Sequence, residues 1–146
     1  MIGCIVIGHG NFAPGLTAAV EMIAGKQQHF ESVPFYEEES LETFEGKLQD
    51  ALIKLLNETT GVIIFSDLLG GTPFRTAMVA AAPYTNVEVI TGTNLPMLIE
   101  IGLLRTFEDD IQGLADKAVV VGQQGIQNPR LNMDLALEIE EDMEGI

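Results

Sequence analysis

Ile2-Gly3-Cys4-Ile5-Val6-Ile7-Gly8-His9-Gly10-Asn11-Phe12-Ala13-Pro14 opens the chain. Its first half is a nearly continuous apolar run, the pattern of a central strand covered on both faces. Two glycines then bracket a histidine, and Pro14 suits the first turn of a helix. Leu16, Ala19, Val20 and Ile23 supply the inner face of that helix, and Gly25 its stop. The unit recurs down the chain. Phe30–Phe35 reads as a second strand, after which Ser40 caps a helix carrying Leu41, Phe44, Leu48, Ala51, Leu52, Leu55 and Leu56 on one face, with Asp50 and Lys54 an exposed pair. Gly61–Ser66 is a third strand, and Thr72 as cap with Pro73 as first residue opens a third helix. Val87–Ile90 is a fourth strand, and an apolar helix after Pro96 runs to Leu104. This alternation predicts a doubly wound, flavodoxin-like α/β fold with a mainly parallel sheet in the order 2-1-3-4.

Beyond Leu104 the pattern weakens. Phe107–Asp116 reads as a short helix and Ala118–Val121, with its three valines, as a final short strand. Leu131–Met143 is compatible with an acidic amphipathic helix or a loose tail. The expected division is one domain over residues 1–122 and a C-terminal extension over 123–146. Glu37–Glu39 reads as a solvated loop, Asn94 and Pro96 as loop structure, and the methionines as core.

The chain has 146 residues, enough for one domain with a core of its own. Twenty-two acidic against seven basic residues give a formal charge of −15, which argues against nucleic acid or an anionic membrane as partner. No apolar run reaches the roughly 18 residues of a membrane helix, and the apolar start lacks a basic leader. Cys4 is the only cysteine and reads as a buried, reduced thiol. A cytoplasmic protein is expected.

In doubly wound sheets ligands sit beyond the carboxyl ends of the strands where the order reverses. For the order 2-1-3-4 that point lies between strands one and three, whose exit loops are Gly8-His9-Gly10 and Asp67-Leu68-Leu69-Gly70-Gly71-Thr72-Pro73. His9 and Asp67 should therefore face each other. The pair suits a phosphoryl-carrying histidine: one ring nitrogen attacks phosphorus while a carboxylate holds the proton of the other and stabilises the developing charge. In so acidic a protein the phosphoryl oxygens need another source of positive potential, and two helix N-termini offer it. Gly10, Asn11, Gly70, Gly71 and Thr72 are the candidate phosphate contacts, and no metal ligand set is read. His29 has no such company and is expected at the surface or a strand edge.

The early Gly-His-Gly, Asp67-x-x-Gly-Gly-Thr-Pro73 and Asn94-x-Pro-Met-Leu98 together resemble the mannose-family enzyme IIA component of the bacterial sugar phosphotransferase system, over roughly residues 1–122. The resemblance implies a phosphotransferase in which His9 accepts a phosphoryl group from the phosphocarrier HPr and passes it in line to a IIB component, with Asp67 in support and no cofactor. It implies membrane IIC and IID components as indirect partners. It also implies a homodimer in which one antiparallel strand, here Ala118–Val121, is exchanged between subunits. Because the sequence stops at 146 without a linker, a separate IIB polypeptide is expected. The transported sugar is not legible, since IIA does not touch it.

Three other readings compete. Gly8-x-Gly10-x-x-Ala13, with Glu31 or Glu37 downstream, loosely fits a dinucleotide or flavin site, although Pro14 and His9 crowd the turn. A receiver-like domain phosphorylated on Asp67 would want an acidic pair where His9 stands. A non-catalytic regulatory dimer would take no phosphoryl label.

Overall fold

The computed structural model describes residues 1–131 and 133–143; residue 132 and residues 144–146, parts of the expected extension, lie outside the described residues. Four strands, β1 (Gly3–His9), β2 (Phe30–Phe35), β3 (Val62–Ser66) and β4 (Val87–Ile90), form a parallel sheet in the order β2-β1-β3-β4. The helices are α1 (Phe12–Ala24), α2 (Leu41–Glu58), α3 (Gly71–Ala81), α4 (Leu95–Leu104), α5 (Ile111–Gln124) and α6 (Met133–Asp142).

Strand periodicity divides the core. Cys4 and Val6 of β1, with Ile63 and Phe65 of β3, face one side and pack against α1, α4 and α5. Ile5, Ile7, Val62 and Ile64 face the other and meet Phe44, Leu48, Leu52 and Leu55 of α2 and Ala77 of α3. Both central strands are thus covered twice, which explains their unbroken apolar runs. β2 lies at the sheet edge, where the missing N–H of Pro34 is tolerated. Cys4 is buried and unpaired, and burial pushes its thiol pKa up to about 12.

At the end of the sheet away from the strand exits, Arg105 is almost wholly buried. Its guanidinium donates to the carbonyls of Ile2 at 3.0 Å and Gln28 at 2.6 Å and to Gln27 Oε1 at 3.2 Å, tying α4 to the starts of β1 and β2. Desolvation lowers its pKa. His29, beside it, adopts a left-handed φ of 55° and meets Glu58 at 3.1 Å, far from the strand exits.

Several expectations are corrected. Ala118–Val121 is not a strand: it lies inside α5, which begins at Ile111 and not at Phe107. Asp110 caps that helix by accepting from the Gly113 N–H, and Leu114, Ala115, Ala118 and Gly122 form its buried stripe. The three valines suggested β structure, yet Val119 and Val120 are exposed, and helical spacing of the small residues decides the outcome. Thr72 does not cap α3; Gly70 does, because the left-handed glycines at 70 and 71 turn the chain into the helix earlier. Ile23 and Leu41 are exposed. Lys54 pairs with Glu31 of β2 at 2.8 Å, across the layer interface and not along its own helix with Asp50. Glu39 is not simply solvated, since it pairs with Lys47 at 2.7 Å. Met97 is core, but Met22, Met78, Met133 and Met143 are exposed. α6 forms as a helix with no buried residue.

Candidate functional site

β1 and β3 are adjacent and parallel, with Ile7 opposite Ser66, so the next residues of both chains emerge side by side at the reversal of strand order. His9 ends β1 and Asp67 follows β3. The Asp67 carboxylate is hydrogen-bonded on both oxygens: Oδ2 accepts from the His9 backbone N–H at 3.0 Å and lies 2.7 Å from His9 Nδ1, and Oδ1 accepts from the Leu68 N–H at 2.9 Å. Burial alone would raise the Asp67 pKa, but the His9 N–H, the imidazole and the Leu68 N–H together hold it below the ordinary carboxylate value. An ionised carboxylate has no proton to give, so Nδ1 carries the proton and donates. In the neutral ring Nε2 is then left with its lone pair.

The Asp67 side chain is only 9% exposed and the imidazole 49%, so the carboxylate is sheltered while the ring is open to solvent. The Cε1–Nε2 edge of the ring faces the start of α3. A Cβ built on Gly71 would stand 3.2 Å from His9 Cε1 and 3.5 Å from Nε2, at a φ of 79°. Gly8 is equally constrained, because a Cβ there would meet Phe12 Cδ1 at 2.7 Å and Asp67 Cβ at 3.0 Å. These two glycines permit the close approach of loop and strand that sets the pair.

Two helices begin here, and neither is capped by a side chain. Asn11 precedes α1 and Gly70 precedes α3 without a side-chain hydrogen bond, whereas Ser40, Asn94 and Asp110 cap α2, α4 and α5. Pro14 and Pro73 each occupy the third helical position, where an N–H would otherwise point out. The amides of Gly71 and Thr72 remain as donors at a positive helix end. The Gly10 N–H, in contrast, is committed to the Phe35 carbonyl at 2.8 Å. Asn11 is exposed in the same turn.

The structure therefore brings His9, Asp67 and Gly71 into one constellation, with Gly70 and Thr72 flanking it on α3 and Gly10 and Asn11 on the β1–α1 turn. Sequence reasoning missed three contributors. The Phe35 ring stands 6.1 Å from the imidazole centroid at 74°. Ser66 is wholly buried, its hydroxyl 3.5 Å from Asp67 Oδ1. Thr93 donates from Oγ1 to the Ser66 carbonyl at 2.7 Å and so pins the strand end that carries Asp67. Phe35 could have been found from register, as the residue beside His9 once β2 is placed next to β1. The two hydroxyls carry no comparable signal.

Comparison with known proteins identifies the family. The sequence pattern of the EIIA-man family, described as PTS system fructose IIA component, matches residues 3–119. The fructose-specific EIIA component of Bacillus subtilis (strain 168) is 35% identical over 105 residues, which are 72% of this chain and 71% of that one. The mannose-specific EIIAB component of Escherichia coli (strain K12) is 36% identical over 124 residues, 84% of this chain but 38% of that longer protein. Among solved structures, phosphotransferase system component EIIA from Streptococcus agalactiae superposes with a TM-score of 0.80 at 33% identity, covering 88% of this chain and 97% of that one.

Proposed function

The chain belongs to the EIIA-man family of phosphotransferase-system IIA components, and from that premise we propose that His9 is its phosphoryl acceptor and Asp67 the residue that orients it. IIA components of this system are phosphotransferases that carry phosphate on a histidine and work with HPr and a IIB component. The chain is such a carrier in sugar uptake. The family match does not favour the dinucleotide or receiver-like readings.

One observation carries the residue assignment: the 2.7 Å contact between Asp67 Oδ2 and His9 Nδ1, which leaves Nε2 as nucleophile toward the uncapped start of α3. The phosphoryl group moves in line. The donor's N–P bond breaks as Nε2–P forms, the donor nitrogen keeps the electron pair, and His9 keeps its Nδ1 proton. Asp67 balances the positive charge on the ring, while the Gly71 and Thr72 amides and the Thr72 hydroxyl receive phosphoryl oxygens. A helix N-terminus contributes on the order of 0.3–1 kcal/mol toward an anion, and more when partly buried. Gly70 serves the turn, and Gly10 and Asn11 line the opposite wall, Gly10 through its conformation because its amide is already engaged.

HPr is the donor in this reading and the cognate IIB component the acceptor, with membrane IIC and IID reached only through IIB. Residues 1–122 are the transfer domain and 123–146 an extension. We place the protein in the cytoplasm as a homodimer. Among the described residues no helix is long and apolar enough to cross a membrane.

The test is transfer of label from phosphoenolpyruvate through enzyme I and HPr. Wild type and His29→Gln should take label and His9→Gln should not. The bond should be lost in mild acid and survive alkali, as a phosphoimidazole is. Label persisting in His9→Gln, or an alkali-labile bond, overturns the assignment.

A further inference from the structure

We propose that Phe35 is a positioning residue for the His9 imidazole, fixing the plane of the ring and with it the direction of the Nε2 lone pair. The proposal rests on His9 being the phosphoryl acceptor. One hydrogen bond at Nδ1 fixes the tautomer of an imidazole but leaves the ring free to rock about that bond. Gly71 bounds the ring only along its Cε1–Nε2 edge. Phe35 supplies the remaining support. It is the register partner of His9 on the neighbouring strand, and its ring meets the imidazole in a T-shaped arrangement at 6.1 Å and 74°.

Phe35 is itself held. Its ring packs edge-on against Phe44 of α2 at 5.2 Å and 61°, and Phe44 is fully buried. Its carbonyl accepts the Gly10 N–H at 2.8 Å, which ties the turn after His9 to the end of β2. Ring and backbone of one residue thus hold the His9 imidazole and the turn that follows it. In-line transfer demands that the lone pair point along the breaking N–P bond, and an apolar wall also keeps water from one side of the phosphorylated ring. A reacting atom misplaced by about 1 Å can cost on the order of 100-fold in rate.

The experiment is rapid-quench transfer from phosphorylated HPr to Phe35→Leu, Phe35→Met and Phe35→Tyr over a range of donor concentrations. The half-life of the isolated phosphoprotein is measured alongside. Leu and Met keep an apolar side chain against Phe44 and Tyr keeps the ring, so at least one variant of each kind should fold. A positioning role lowers the maximal rate of the Leu or Met variant by about 10-fold or more, with little change in half-saturating donor. It also shortens the phosphoprotein half-life, and Tyr restores both. A purely structural role would lower the stability of the Leu or Met variant without splitting rate from half-saturation. Wild-type maximal rate in a folded Leu or Met variant overturns the proposal, as does a Tyr variant impaired equally. His9→Gln run in parallel separates the two levels: label surviving there means the acceptor is misassigned, whatever Phe35 does.

Discussion

Replacing Asp67 with Asn exchanges one carboxylate oxygen for an NH2 group and removes the charge, and the geometry says what each change does. The native carboxylate serves His9 N–H and Nδ1–H through Oδ2 and Leu68 N–H through Oδ1. Asparagine has one oxygen for these three donors. With that oxygen toward His9 the reactive tautomer survives, but the NH2 group opposes the Leu68 N–H. Flipped, the amide donates to Nδ1, drives the ring proton to Nε2 and opposes the His9 N–H. Either way one sheltered N–H loses its acceptor, at about 1–3 kcal/mol of stability. In the first orientation a charge-assisted bond becomes neutral, losing about 1.4 kcal/mol and hence about 10-fold in rate. In the second the nucleophile is gone; a wrong tautomer of this kind costs roughly 10⁴ in serine proteases. Transfer measured by rapid quench should therefore slow by between about 10-fold and 10⁴-fold in a protein that still unfolds cooperatively. Nitrogen spectra of His9 should tell the two orientations apart by the tautomer. A variant that transfers at the wild-type rate would refute the role of the 2.7 Å contact and leave Asp67 a turn residue.

Gly71→Ala places a Cβ at left-handed φ and 3.2 Å from His9 Cε1, so it should cost about 1–2 kcal/mol and also slow transfer. Gly70→Ala, strained at φ 100° but meeting nothing within 4 Å, should lower the denaturation midpoint with much less effect on the rate. Because the folded-state pKa of Asp67 lies below that of an ordinary carboxyl, its contribution is complete above the unfolded value and lost as pH falls through the folded one. The stability gap between wild type and Asp67→Asn should accordingly close as pH falls below about 4 in urea titrations. Arg105→Met leaves the buried Ile2 carbonyl and the partly buried Gln28 carbonyl without this donor and should destabilise by about 1–3 kcal/mol, while phosphoryl transfer by the folded fraction is unchanged. Cys4, with its thiol pushed up to about 12, should resist a disulfide reagent at pH 8 in the native protein and react at once in denaturant.

Order and type of the first eight elements, down to the parallel order 2-1-3-4, were legible because strands covered on both faces and helices with one apolar stripe leave distinct periodicities in the residues themselves. From that order alone, the loops after β1 and β3 had to meet, and so His9 and Asp67 were legible as a pair. Local residue type also foretold Ser40 as a cap and Cys4 as buried. Tertiary structure decided the rest. Three consecutive valines favour a strand in isolation, yet Leu114, Ala115, Ala118 and Gly122 gain burial against β3, β4 and α4 only as a helix, and packing overrides β-branched propensity. The start of α3 depended on two glycines at positive φ, a backbone choice no hydrophobic pattern records. Phe35, Ser66 and Thr93 reach the site from three different strand ends and loops. Their role exists only where strand register sets one residue beside another, whereas His9 and Asp67 carry chemistry that their side chains announce on their own.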